Sequence, residues 1–309
     1  MRTISHGGPA GSSRPRRRRC HFNVVLALLV GVLSACLPSV ASADPVSYVA
    51  TGDSYTAAPG VLPASPTAPP QCGQSAANYP HLVAAVLQFS LTDVSCGGAK
   101  TENFTTEQFP GITPPQFNAL TPNTKLVSVG MGGNDFNAFG TLVGECTVID
   151  SAWLKEHGNV GAPCKETLES FIQFVLREDV APSNAALEEI RALSPNAKVF
   201  VVGYPEITPL NGFCPTALPW TTGDLNWFRS IEQQGNALKK AGALANHDFF
   251  VDTFTPSIGH NPCEPVGKRW IEPLIGSLTG VPVHPNALGQ VADAVDVGLS
   301  MVLNGALID

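Results

Sequence analysis

The stretch Val46-Ser47-Tyr48-Val49-Ala50-Thr51-Gly52-Asp53-Ser54-Tyr55 is an apolar run that leads into a short polar segment. Its apolar part predicts a buried strand over residues 46–50. Ser54 is then expected at the C-terminal end of that strand, where open α/β sheets gather their ligands. By itself, the Gly-Asp-Ser-Tyr sequence is better explained as a polar turn or a helix cap.

Two further segments change that interpretation. Gly132-Gly133-Asn134-Asp135 follows a second apolar run at residues 126–130, and His284-Pro285-Asn286 precedes a helical pattern at residues 287–303. A serine hydroxyl is a weak nucleophile until a neighbouring base removes its proton, and histidine is the most common base. The three segments together therefore predict a hydrolytic site at the edge of a sheet. His260 is the alternative base, although a loop-ordering role suits it better.

Strand and helix patterns alternate along the chain, which predicts βαβ units and a doubly wound parallel sheet. Asp224 is the predicted N-cap of a helix that ends near residue 246, and Pro182 predicts a break within a helical pattern. No internal repeat or linker divides residues 44–309, so one domain is expected. The predicted strands are residues 46–50, 91–95, 126–130, 199–203 and 249–252, and further helical patterns cover residues 79–88, 168–193 and 287–303.

The order of these motifs resembles that of the SGNH hydrolases, also called the GDSL lipase/esterase family. The resemblance extends from residue 48 to about residue 298. Within the family, the sequence most resembles the secreted, disulfide-bearing branch from filamentous actinobacteria. It implies a flavodoxin-like three-layer α/β/α fold with a five-stranded parallel sheet. It further implies that Ser54 is the nucleophile and His284 its base. The implied oxyanion hole consists of the backbone N–H groups of Ser54 and Gly98 and the side-chain amide of Asn134, with Gly97 as the neighbouring alternative to Gly98.

The chain departs from the family pattern at two positions. Tyr55 gives GDSY in place of GDSL, and Val281 stands where an aspartate usually precedes the histidine by three residues. That aspartate normally orients the imidazole. Some members of the family use a main-chain carbonyl instead, so we expect one from residues 280–283, above all that of Val281, to bind His284. The alternative acids are Asp252 and Glu272.

The first 43 residues are typical of an export signal rather than of a fold. Basic residues at positions 14–19 precede an apolar run at 24–35 that is too short to span a membrane. Ala41-Ser42-Ala43 then predicts cleavage before Asp44. In the alternative, Leu33-Ser34-Ala35-Cys36 acts as a lipobox, residues 1–35 are removed, and Cys36 is lipidated at the cell surface. Both interpretations predict an extracellular protein.

Removal of the predicted signal makes the chain strongly acidic. The sequence has 18 basic and 25 acidic residues; six of the basic ones and no acidic one lie in residues 1–43, which leaves a net charge of −13. Nucleic acids and anionic membranes are therefore unfavourable partners. We expect a monomer that acts on a small-molecule or lipid ester, without a cofactor and without a metal.

Six cysteines remain after the signal, and an even number in an exported protein predicts disulfides. Six cysteines allow fifteen pairings, and residue patterns alone do not choose among them. The family resemblance implies pairing in sequence order, Cys72–Cys96, Cys146–Cys164 and Cys214–Cys263. Such bridges would tie the long loops at residues 57–80, 139–163, 204–223 and 256–282.

These features predict a secreted serine esterase or lipase that hydrolyses carboxylic esters, of fatty acids in particular, through an acyl-enzyme. A phospholipase A-type activity, a carbohydrate acetylesterase activity and a non-catalytic cell-surface binding protein are the alternatives. Four aromatic residues near the fourth predicted strand either line an acyl pocket or act as hydrophobic plugs. They are Tyr204, Phe213, Trp220 and Trp227.

Overall fold

A computed structural model describes residues 44–307 of the chain. The predicted export segment, residues 1–43, lies outside these residues, as do both of its cleavage alternatives. Within the described part, one parallel sheet has the strand order β2-β1-β3-β4-β5, which confirms the predicted five-stranded architecture. The strands are β1 Ser47–Gly52, β2 Ser90–Asp93, β3 Leu126–Gly130, β4 Lys198–Val202 and β5 Phe249–Val251. All five predicted strands are present, with ends shifted by no more than two residues.

Side chains of the strands alternate between two helical layers, as a period of two residues requires. Val49, Val127 and Val199 pack on one face against a cluster that includes Leu187 and Ile190. Tyr48, Leu126 and Phe200 pack on the other face, with Val297 and Met301 in the same cluster. The strands β1, β3 and β4 are thus buried on both sides, which explains why they are apolar runs, whereas the edge strand β2 is partly exposed. The helices are α1 Ser54–Ala57, α2 Tyr79–Leu87, α3 Ala138–His157, α4 Pro163–Glu178, α5 Val180–Leu193, α6 Thr222–Ala245, α7 Phe254–Ser257 and α8 Ala287–Leu303.

The helical pattern over residues 168–193 is two helices in the structure. α4 ends at Glu178, and α5 begins at Val180. Pro182 has no N–H for the carbonyl of Glu178, and its ring would collide with that carbonyl in a continuous helix. The predicted break is therefore present, a few residues before the proline.

The predicted N-cap of α6 is wrong. Thr221 caps this helix, and its side chain accepts a hydrogen bond from the Asp224 N–H. Asp224 lies one turn inside the helix, where its carboxylate accepts the N–H groups of Cys164 and Lys165 at 3.0 and 2.7 Å. The acidic side chain thus binds the start of α4, a long-range contact that local sequence does not encode, and it also accepts the Thr221 hydroxyl at 3.2 Å.

Three disulfides tie the long loops in the pairing implied by the family resemblance: Cys72–Cys96, Cys146–Cys164 and Cys214–Cys263. Each cross-link closes a loop between 18 and 49 residues long, which removes conformational entropy from the unfolded chain. Among residues 44–307, no helix combines the length and the apolar character that a membrane span requires.

Candidate active site

Ser54 begins α1 at the carboxyl end of β1, as predicted. The turn before it is closely packed: a Cβ at Gly52 would lie 2.2 Å from Thr56 Oγ1, so this position needs glycine. Gln116 binds both backbone polar groups of Gly52, because its side-chain amide accepts from Gly52 N at 2.9 Å and donates to Gly52 O at 3.0 Å. The serine is therefore presented by a backbone with little freedom to move.

His284 lies next to Ser54, although 230 residues separate the two in sequence. The distance from His284 Nε2 to Ser54 Oγ is 2.8 Å, and each residue is 7% exposed. The other ring nitrogen, Nδ1, lies 2.8 Å from the carbonyl oxygen of Pro282. Because a carbonyl oxygen only accepts, Nδ1 carries the proton and Nε2 is free to accept from the Ser54 hydroxyl. A neutral imidazole in this tautomer is able to take the serine proton.

The carbonyl at the imidazole is that of Pro282, so the expectation for Val281 is wrong. The Val281 carbonyl instead accepts the backbone N–H of His284 at 3.3 Å. Val283, between the proline and the histidine, has φ +63°. This left-handed residue turns the chain so that the Pro282 carbonyl, two residues before the histidine, meets the ring.

The two alternative acids have other partners. The Asp252 carboxylate accepts the N–H groups of Phe254 and Thr255 and the Thr255 hydroxyl. The Glu272 carboxylate accepts from Leu278 N, Thr279 Oγ1 and Asn286 Nδ2. Both carboxylates order loops, and neither contacts the imidazole of His284.

Burial lowers the pKa of His284 below its ordinary value, because the charged imidazolium loses water. The hydrogen bond to the Pro282 carbonyl opposes this effect by favouring the protonated ring, but burial is the larger cause. The ring is therefore neutral over a wider pH range than a free histidine. Two aromatic rings enclose it: those of Tyr55 at 4.9 Å and Phe139 at 5.5 Å between ring centroids.

The Gly97-Gly98 segment is tied to the serine turn, since Cys96 N donates to Gly52 O at 3.0 Å. Gly97 N donates to the Cys72 carbonyl at 2.9 Å, so its N–H is already engaged. Gly98 has φ +77° and is exposed, and its N–H has no acceptor within residues 44–307. Of the two glycines, Gly98 is thus the one with a donor available to a ligand.

Asn134 joins the Gly132–Asp135 turn to the Gly97-Gly98 segment. Its side-chain amide donates to the Ala99 carbonyl at 3.0 Å. That bond uses one of the two amide hydrogens, and the other has no acceptor in the described chain. The Ser54 N–H is likewise without an acceptor there. Three donors are therefore available to a ligand: the backbone N–H groups of Ser54 and Gly98 and the side-chain amide of Asn134. Hydrogen bonds connect the segments that carry them.

A hydroxyl–carboxylate contact links the serine turn to the Gly132–Asp135 turn. Asp53 caps α1 by accepting Tyr55 N, and its second oxygen accepts the Tyr204 hydroxyl at 2.5 Å. The same hydroxyl accepts the Gly133 N–H at 2.9 Å. Burial raises the pKa of Asp53 to about 6, against the hydrogen bonds from Tyr204 and Tyr55. Asp53 and Tyr204 thus fix the separation of the two turns, and neither side chain is hydrogen-bonded to Ser54 Oγ or to the His284 ring.

A cavity of about 180 Å³ opens beside Ser54 and Asn134. Its walls are mainly apolar and include Leu142, Ile172 and Phe228. Of the four aromatic residues considered for an acyl pocket, Tyr204 alone lines it. Trp220 and Trp227 are buried in the hydrophobic core, with 1% and 6% of their surface exposed, and Phe213 lies at the protein surface. His260, the alternative base, stacks on Trp270 and bonds the Lys268 carbonyl.

Several residues of this site escaped the sequence analysis. Gln116 and Gln290 carry no local signal, because each acts through a contact with a distant segment. Tyr204 was considered only for the acyl pocket, and its hydroxyl contact with Asp53 was not predicted. Tyr55 carried one signal, its departure from the GDSL pattern. The polar side chains that support a site are therefore visible mainly in three dimensions.

A five-stranded parallel sheet with a buried serine–histidine pair at its carboxyl edge is typical of hydrolases that act through a serine. The chain belongs to the GDSL-like lipase/acylhydrolase family, whose sequence profile matches residues 50–292, and it is a carboxylic ester hydrolase. Lipase 2 of Streptomyces coelicolor is 39% identical over 285 residues, which cover 90% of this chain and 95% of that lipase.

Solved structures of similar proteins agree with the fold. Phospholipase A1 from Streptomyces albidoflavus NA297 aligns with a TM-score of 0.67 at 26% identity, over 84% of this chain and 98% of that one. An extracellular lipase from Streptomyces rimosus aligns with a TM-score of 0.63 at 24% identity, over 84% of this chain and 99% of that lipase. The prediction of an α/β fold of this family is confirmed.

Proposed function

We propose that this protein is a secreted serine esterase or lipase that cleaves fatty acyl esters through an acyl-enzyme, with Ser54 and His284 as a catalytic dyad. The observation that carries the proposal is the 2.8 Å contact between Ser54 Oγ and His284 Nε2, with Nδ1 held by the Pro282 carbonyl. This arrangement has the nucleophile, the base and the group that orients the base.

In the first half of the reaction, Ser54 Oγ attacks the ester carbonyl carbon while His284 Nε2 takes the hydroxyl proton. The tetrahedral intermediate carries its negative charge on the former carbonyl oxygen, which binds the N–H groups of Ser54 and Gly98 and the Asn134 amide. Collapse breaks the bond to the alkoxy oxygen, and His284 returns the proton to the departing alcohol. Water then attacks the acyl-enzyme by the same route, which releases the acid and restores Ser54.

The imidazolium formed in each half-reaction faces a carbonyl dipole rather than a carboxylate. The Pro282 carbonyl is a sufficient acceptor to fix the tautomer, but it contributes no full charge. A positive charge at His284 is thus stabilised less than in a triad. The depressed pKa of this histidine, caused by burial, agrees with that interpretation.

Fatty acyl groups are the proposed substrates because the cavity beside Ser54 is mainly apolar. Secretion is supported by the three disulfides and by the export pattern in the first 43 residues. The likeness to a phospholipase A1 favours one second candidate, cleavage of acyl chains from phospholipids.

A labelling and substrate experiment tests the function. The purified protein is treated with a fluorescent organophosphonate and is also assayed on p-nitrophenyl esters of two to sixteen carbons, beside phosphatidylcholine and acetylated xylan. Covalent label on Ser54 and faster turnover of acyl chains longer than acetate are expected. Release of fatty acid from phosphatidylcholine at a comparable rate would support the phospholipase candidate, whereas an unlabelled, inactive protein would contradict the whole proposal.

The acid limb of the pH–rate profile is predicted to lie below the ordinary histidine pKa of about 6.5. Only neutral His284 accepts the serine proton, so a pKa lowered by burial keeps the enzyme active at lower pH. The measurement is kcat/KM for a p-nitrophenyl ester between pH 4 and 9, together with an NMR titration of the His284 ring. The NMR titration distinguishes the ionisation of His284 from that of neighbouring carboxylates. An NMR midpoint for this ring above 7 would contradict the prediction.

No single carboxylate is predicted to be essential for turnover. Asp252→Asn should keep kcat within about threefold of the wild-type value, far from the roughly 10⁴-fold loss that follows removal of a true triad acid. Glu272→Gln should mainly lower the thermal unfolding temperature, because Leu278, Thr279 and Asn286 lose a charged acceptor. Steady-state kinetics below the unfolding transition measure kcat for both variants, and thermal denaturation followed by circular dichroism measures the unfolding temperature. A loss of several orders of magnitude in a folded variant would identify that residue as a third catalytic member.

A further inference from the structure

Tyr55 occupies the one position in the Gly-Asp-Ser-Tyr motif that departs from the GDSL pattern, and it is 8% exposed. Its hydroxyl donates to the carbonyl oxygen of Val283 at 2.6 Å, across 228 residues of sequence. Its ring lies beside the imidazole of His284, with the centroids 4.9 Å apart and the planes 36° from parallel. One side chain therefore contacts both the histidine and the peptide unit directly before it.

The peptide unit that Tyr55 contacts has an unfavourable conformation. Val283 is fully buried with φ +63°, a left-handed conformation that is a genuine outlier for a β-branched residue. Such a conformation persists only where the surroundings hold it in place. The Val283 N–H donates to the Glu272 carbonyl at 3.0 Å, and the Val283 carbonyl accepts the Tyr55 hydroxyl. The two bonds fix the peptide units on both sides of this residue.

The left-handed conformation of Val283 decides which groups contact the imidazole of His284. With this residue left-handed, the Pro282 carbonyl faces Nδ1 at 2.8 Å and Nε2 faces Ser54 Oγ at 2.8 Å. An aspartate side chain would orient the ring by itself, whereas a backbone carbonyl orients it only while its own turn is held. The turn before His284 thus needs an anchor, and Tyr55 is covalently next to Ser54.

We propose that Tyr55 is the positioning residue of the dyad. Its hydroxyl anchors the Pro282-Val283-His284 turn to the segment that carries Ser54, so that the Pro282 carbonyl holds the imidazole in the absence of an aspartate. The inference rests on the proposed function. A second hydrogen bond supports the same link, since the side-chain Nε2 of Gln290, in the helix α8 that follows His284, donates to the Tyr55 carbonyl at 3.0 Å. The phenol remains a donor, because burial and the nearby carboxylates Glu232, Asp53 and Asp293 raise its pKa well above the usual value.

Tyr55→Phe keeps the ring and removes the hydroxyl, and it is expected to lower kcat about 10- to 100-fold with KM within about threefold, because small displacements of reacting groups cost that much. The His284 Nδ1–H proton, observed by NMR at low field, should shift or broaden in this variant. Tyr55→Leu, which restores the GDSL pattern, should show the same loss or a larger one.

The matched control is Tyr48→Phe. Tyr48 is a fully buried tyrosine whose hydroxyl shares a 2.7 Å hydrogen bond with Ser128 Oγ in the core, so its loss also removes a buried hydroxyl contact. This variant is expected to lose thermal stability while keeping kcat and the Nδ1–H resonance. An equal loss of kcat in both variants would overturn the proposal, because it would reflect stability alone.

Three further outcomes separate the inference from the function it rests on. Wild-type protein that is not labelled at Ser54 by the organophosphonate refutes the dyad, and the inference with it. Wild-type protein that is labelled, while Tyr55→Phe is labelled equally fast with an unchanged Nδ1–H resonance, refutes the role of Tyr55 alone. A Tyr55→Phe protein that does not fold also overturns the proposal, in favour of a structural role.

Discussion

Replacement of Ser54 by alanine is expected to lower kcat for ester hydrolysis on the order of 10⁶-fold, the loss that follows removal of a lone serine nucleophile. In the proposed mechanism the Ser54 hydroxyl forms the acyl-enzyme, and no other hydroxyl is described within hydrogen-bond distance of His284 Nε2. The fold should be retained, because alanine removes a single oxygen whose hydrogen-bond partner is the imidazole. Stopped assays on a p-nitrophenyl ester, with circular dichroism for the fold, measure the two effects.

Ser65, a half-buried serine whose hydroxyl shares a hydrogen bond with Thr67, provides the control, and Ser65→Ala should remain fully active and labelled. His284→Ala should lose about as much as Ser54→Ala, and the double variant little more, since the two residues act as one unit. Near wild-type turnover by a folded Ser54→Ala protein would refute the nucleophile. Additive losses in the double variant would instead show that the two side chains act independently.

Asn134→Ala is predicted to lower kcat about 10²- to 10³-fold, the cost of one oxyanion donor, with a smaller change in KM. The effect should fall on kcat because charge develops on the ester oxygen only in the transition state. The Ala99 carbonyl holds the amide in place at 3.0 Å, so the donor is oriented before substrate arrives. Single-turnover kinetics of acyl-enzyme formation would locate the loss in the chemical step.

A second asparagine, three residues after Asn134 in the sequence, serves as the control. Asn137 has φ +59°, and its amide bonds Thr141 at the surface, so Asn137→Gly removes an amide without strain on the left-handed backbone. This variant should keep kcat within about threefold of the wild-type value, well outside the loss expected for an oxyanion donor. If Asn134→Ala changes KM alone, its amide binds the substrate uniformly and is not an oxyanion donor.

Local patterns in the sequence were sufficient for the sheet and for the positions of the principal site residues. A strand buried on both faces must be a short apolar run, so β1, β3 and β4 left patterns that are readable one segment at a time. The edge strand β2, Ser-Leu-Thr-Asp, is partly exposed and left a weaker pattern. The three motif segments follow or precede such elements, and parallel strands bring their carboxyl ends to one edge. Their meeting therefore follows from topology, and Ser54 and His284 lie 2.8 Å apart as this reasoning requires.

Tertiary structure alone decided how the imidazole is held. The φ of Val283 decides which carbonyl of residues 280–283 faces Nδ1. Valine strongly favours a negative φ, so its left-handed conformation cannot be predicted from the sequence. The contact of Tyr55 with Val283 spans 228 residues, and the engagement of Asp252 and Glu272 elsewhere depends on the course of two loops. Sequence patterns report which backbone elements form, because those depend on near neighbours. Hydrogen bonds between distant side chains and turns depend on the packed chain, and they determine the geometry of the Ser54–His284 pair.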